Sequence, residues 1–105
     1  MNFESTNLSE ARLFFNNYLH QDWDIDGSTL EEVFDNNDGL GSLKEGLRRG
    51  SQELIDSDCS DRELAQLFLG DWTSGYEPEH GGYDNWRDVL REIIRLCDKY
   101  MELEK

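Results

Sequence analysis

From Trp86 to Met101 the apolar side chains return every three or four positions: Trp86, Val89, Leu90, Ile93, Ile94, Cys97, Tyr100 and Met101. Only a period near 3.6 residues keeps such a set on one side of the backbone, so the spacing predicts an amphipathic helix starting after an Asp84 N-cap. A strand would turn alternate members of the set to opposite faces. The rest of the 105-residue chain must then supply helices to cover this stripe, and the final helix becomes the expected spine of the core.

The other segments carry the same period. Leu8, Ala11, Phe15, Tyr18 and Leu19, with Phe14 beside them, predict a first helix from about Ser9 to Leu19. Ser28 with Glu31 three residues on reads as a capping box ahead of Leu30, Val33 and Phe34, a short second helix ending at the Asn36–Gly39 turn signal. Leu40, Leu43, Leu47 and Leu54 form a third seam. Gly46 and Gly50 within it each cost roughly 1 kcal/mol relative to Ala, which predicts a break near Gly50–Ser51. Ser60 and Glu63 repeat the capping box before Leu64, Leu67 and Phe68, with Gly70 as the stop. Residues 70–84 hold four of the nine glycines and the only proline, and predict a long ordered loop. The fold expected is all-α: one compact domain over residues 1–105, of about five helices with a glycine-rich loop before the last.

Disorder is the competing explanation, because 32% of the residues are charged. Leu, Ile, Val and Phe nevertheless number 25 of 105, above the roughly one-fifth below which a chain stays unfolded. No stretch is long and apolar enough for a membrane span, and the first residues carry no basic-then-apolar leader, so a cytoplasmic protein is expected. Cys59 and Cys97, 38 positions apart, fit unbridged thiols in a reducing compartment.

The formal net charge is -14. Such a chain repels nucleic acid and anionic membranes and attracts a basic partner. The excess is uneven: residues 1–35 carry eight acids and one base, residues 61–84 six and one, and residues 85–105 five of each. A partner-facing surface is therefore expected on the first two helices and the glycine-rich loop.

Motifs for chemistry are weak. Asp22, Asp24, Asp26 and Gly27 open like a calcium-binding EF-hand loop, but the twelfth position is Val33 where a bidentate Glu is required, with Glu31 and Glu32 out of register. The zinc-ligand types His20, Cys59, His80 and Cys97 are scattered, so no metal or other cofactor is expected. Acids beside His80, such as Glu77 and Glu79, can always be paired on paper in so acidic a chain, and no nucleophile or phosphate motif accompanies them; the chain does not read as an enzyme.

One stretch is sharper. Phe15, Tyr18, His20, Gln21, Asp22, Trp23 and Asp24 resemble the FxxYxHQDWD signature of a family of bacterial contact-dependent growth inhibition immunity proteins. The resemblance continues through Leu30, Glu31 and Val33, the Leu-rich middle, and the loop-then-helix stretch from Tyr83 to Leu90. It implies a small, largely helical cytoplasmic protein that binds the C-terminal toxin domain of a delivered effector one to one. It also implies a toxin that is a nuclease, a ribonuclease first. An acidic inhibitor fits the basic cleft that a nuclease needs for its phosphate substrate.

Within the motif, Phe15, Tyr18, His20 and Trp23 are expected to be structural, as are Trp72 and Trp86, since large aromatics dominate cores. The toxin-binding surface is expected on Asp22, Asp24, Asp26, Glu31, Glu32, Asp35, Tyr76, Glu77, Glu79 and Tyr83, where carboxylates surround two tyrosines suited to interface anchors. The alternatives are an acidic mimic of nucleic acid for some other basic partner, and a calcium-binding module that fails at Val33.

Overall fold

A computed structural model describes residues 6–19, 29–72 and 74–103. They are helical with no strand among them. Helix α1 spans Thr6–Leu13, α2 Leu30–Asn36, α3 Leu43–Ile55, α4 Asp61–Ala65 and α5 Trp86–Leu103. The expected all-α class is what is observed, and α5 runs as the apolar stripe requires. Its buried arc is wider than the spacing suggested: Leu96 is fully buried while Ile94 is only partly so. α2, α3 and α4 all pack on α5, which therefore has more than one covered side.

α1 does not continue as an α-helix to Leu19. After Leu13 the chain widens into a π-helical turn, Phe14–Tyr18, closed by the Leu19 N–H on the Phe14 carbonyl at 3.2 Å. α4 ends in the same way. Gly70 does not stop it, and a second π turn, Gln66–Asp71, is closed by the Trp72 N–H on the Leu67 carbonyl at 2.8 Å. Such turns insert an extra residue and re-aim the side chains that follow. Here they bring Phe15 and Phe68 into a stack 4.4 Å apart, with Trp72 and Trp86 closing on the pair. Phe14 carries the aromatic row on to Phe34, and Phe34 stacks on Tyr100. Phe15, Trp72 and Trp86 are thus core residues as expected, and Tyr18 packs on the core edge.

Helix ends are set by local chemistry. At Ser60 the expected capping box is present: Ser60 Oγ accepts the Glu63 N–H at 3.1 Å, and Glu63 accepts the Ser60 N–H at 3.0 Å. The other two caps lie one residue later than expected. Thr29, not Ser28, caps α2 by accepting the Glu32 N–H at 3.1 Å. Asn85, not Asp84, accepts the Asp88 N–H at 2.9 Å, while Asp61 takes the Trp86 N–H at 2.7 Å.

The break expected at Gly50–Ser51 is absent, and α3 runs unbroken through both glycines, which are buried. The reason is tertiary: α1 packs directly on α3, and a Cβ on Gly46 would overlap the Glu10 side chain. Gly39 is required twice over. Its φ of +67° suits glycine, and a Cβ there would stand 2.9 Å from the Tyr100 ring.

Candidate functional site

The expected surface falls into three groups. Asp22, Asp24 and Asp26, with His20 and Trp23 of the motif, lie outside the described residues. Glu31, Glu32 and Asp35 lie on α2, and the remainder in the segment before α5.

On α2 the cap and the charges reinforce each other. Glu31 and Glu32 sit in the first turn, where the unpaired N–H groups favour negative charge. Helix period then sends Leu30, Val33 and Phe34 into the core and leaves Glu32 and Asp35 exposed. These acids do not face water alone. Lys99 Nζ lies 2.9 Å from Glu31 Oε2, Arg95 Nη2 lies 4.0 Å from the same oxygen, and the Tyr100 hydroxyl donates to Asp35 at 3.1 Å. The Lys99 hydrogen bond and charge hold the Glu31 carboxyl below its ordinary pKa, and Glu31 raises Lys99 in return.

The glycine-rich segment is more ordered than a plain loop. Glu77 is extended, Pro78–Gly81 forms a 3-10 turn, and Gly82 turns left-handed at φ +77°. The two tyrosines part company here. Tyr76 is a correction: its ring is 1% exposed and belongs to the core, not to a surface anchor. Burial, then the neighbouring Tyr83 and Glu92, push its phenol above the ordinary value. Tyr76 and Tyr83 close over Gly81, where a Cβ would overlap both. Tyr83 keeps a partly exposed edge, and Glu77 and Glu79 lie beside it with Glu79 exposed.

α5 joins the two groups. Arg95 is held bidentately by Glu92 at 2.6 and 2.7 Å, faces Glu31 on one side, and feels Tyr83 on the other. A chain of contacts thus runs from Asp35 and Tyr100 to Glu31, Lys99, Arg95 and Glu92, with Tyr83 within the reach of the Glu92 and Arg95 charges. Sequence reasoning missed the α5 contribution, treating that helix as charge-balanced core. The signal was the Glu92, Arg95, Lys99 spacing, which puts all three on one side of a helix.

Among the described residues no group of three or more His, Cys, Asp or Glu is arranged to hold a metal ion. None of their helices is long and apolar enough to cross a membrane. The arrangement offers a partner exposed carboxylates, a tyrosine edge and two cations already engaged with them, which is the chemistry of protein recognition.

Compared with known proteins, residues 7–97 match a family described as CdiI immunity protein. No curated protein and no solved structure matches the chain.

Proposed function

The chain belongs to the CdiI immunity protein family, whose members neutralise toxins in contact-dependent growth inhibition, and from that premise we propose that it acts by occlusion. Its acidic face covers the basic substrate cleft of a nuclease toxin domain, a ribonuclease first, in a one-to-one complex in the cytoplasm of the producing cell. The family is generally non-enzymatic, and occlusion needs no turnover.

The observation that carries this reading is the net charge of -14 together with the exposed positions of Glu32, Asp35, Glu79 and Asp84. A nuclease cleft must attract phosphate, so it attracts these carboxylates as well, and long-range attraction speeds encounter more than it deepens affinity.

Co-expression with a cognate toxin domain tests the function: the cells survive, and death despite expression of folded protein sinks the proposal. Stopped-flow association tests the mechanism. The rate falls as salt rises, and Glu77→Lys with Glu79→Lys slows association at low salt; a rate unchanged by that double reversal moves the contact off this loop.

A further inference from the structure

The groove between α2 and α5 is lined by Thr29, Glu31, Glu32, Asp35, Lys99 and Tyr100 and has a volume of about 280 Å³. That is at or below the roughly 300–1,000 Å³ of a small-molecule site, a size for one inserted side chain. A cation already stands at it. Lys99 Nζ is 2.9 Å from Glu31 Oε2 and 5.5 Å from the centroid of the Tyr100 ring, whose hydroxyl is turned to Asp35. A carboxylate paired with an aromatic face is the combination that recognises an ammonium or guanidinium group. Arg95, the other cation near Glu31, is committed to Glu92 through two hydrogen bonds. Lys99 is joined to Glu31 across 68 positions of sequence by a single contact.

Resting on the toxin-binding function proposed above, we propose that Lys99 is an internal placeholder for a cationic side chain of the toxin domain. On docking, a toxin lysine or arginine takes the position between Glu31 and Tyr100, and Lys99 swings out to water. Three physical points carry this. The Lys99–Glu31 pair is exposed on both sides, at 44% and 43%, and exposed pairs are worth little net, so exchange is easy. A lysine stem is flexible and its ammonium is well hydrated, so the displaced group has somewhere to go. A toxin cation would be the third at Glu31 beside Lys99 and Arg95, and the repulsion grows once the interface excludes water, so the singly held Lys99 gives way. The consequence is selectivity: a partner without a cation at that point leaves Lys99 in place and gains nothing there.

The test compares Lys99→Met with Arg91→Met, which removes the same unit of charge from the Arg91–Asp88 pair about two turns earlier on α5. Binding to the cognate toxin domain is measured by stopped flow at low salt. Lys99→Met binds about two- to fivefold tighter than the unaltered chain, the range of one exposed pair, and exceeds Arg91→Met. Adding Glu31→Gln to Lys99→Met abolishes the gain. Equal effects of the two Met variants, or a gain that survives Glu31→Gln, overturn the placeholder while leaving the toxin-binding function standing. An unaltered chain that does not bind the toxin domain overturns both.

Discussion

The two halves of α5 share one buried stripe but differ in what their polar side chains hold. In the first, Trp86, Val89, Leu90 and Ile93 are buried, the Trp86 N–H is taken by Asp61, and Arg87 donates to the Ile55 and Ser57 carbonyls at 3.0 and 2.8 Å. In the second, Leu96 and Cys97 are buried as well, but the polar links are Glu92–Arg95, Glu31–Lys99, Arg48–Asp98 and Asp35–Tyr100, all made at the surface. Apolar burial and bonds to backbone carbonyls fix one geometry. Exposed ion pairs contribute little stability and are readily exchanged. One helix thus anchors the core along its whole length, with backbone-bonded polar groups at its start and a row of exchangeable surface links towards its end.

The comparison breaks most visibly at the aromatic stack. Phe68→Ala removes the ring between Phe15 and Trp86 and is expected to cost about 3–5 kcal/mol, read as a lowered urea midpoint. Thiol labelling supplies a second readout: burial pushes the Cys97 thiol up to about 12, so it reacts when the chain opens, and the variant exposes it far sooner. Gly39→Ala tests a place where the second half also depends on neighbouring backbone. The left-handed φ costs about 1–2 kcal/mol, and the contact with the Tyr100 ring adds to it; a variant as stable as the parent would show that Tyr100 moves aside without loss. Ser60→Ala removes the α4 cap and lowers stability by about 1 kcal/mol, read in the same titration.

Acid gives the finest distinction. Hydrogen bonds and charge hold the Glu31 and Glu63 carboxyls below their ordinary value of 4.5 in the folded chain. Their contribution is therefore complete above that value and is lost as pH falls through the depressed folded values. Glu31→Gln and Glu63→Gln should each flatten the acid limb of a stability-against-pH curve, with neutral-pH stability little changed for Glu31→Gln. A limb that keeps its slope in both variants assigns acid sensitivity to other carboxylates.

What was legible in the sequence was local. The α5 stripe and the Ser60–Glu63 box depend on residues within a turn or two of each other, and both were read correctly. The misread caps have a physical reason: Ser28–Glu31 and Thr29–Glu32 satisfy the same three-residue spacing, as neighbouring Asp84 and Asn85 both satisfy the cap chemistry, so only the observed hydrogen bonds choose between them. The unbroken α3 needed knowledge of α1, because Gly46 is explained by the approach of Glu10. The face itself was half legible. Composition pointed to Glu31, Asp35 and Tyr83, but nothing near Tyr76 marks which loop ring turns inward, and the Glu31–Lys99 pair joins residues 68 positions apart.

The carbonyl of Leu19 accepts both the Gly75 N–H at 2.6 Å and the Ser74 hydroxyl at 2.9 Å. Two stretches more than fifty positions apart are stapled together at that oxygen: the end of the first π turn, from which the chain enters the His20–Asp24 motif, and the start of the tyrosine segment. The staple therefore fixes the root of the tyrosine segment against the end of the first π turn, independently of the side chains further along that segment. A graft that swaps residues 77–80 while keeping Leu19, Ser74 and the buried Tyr76 has a defined seam at which to cut.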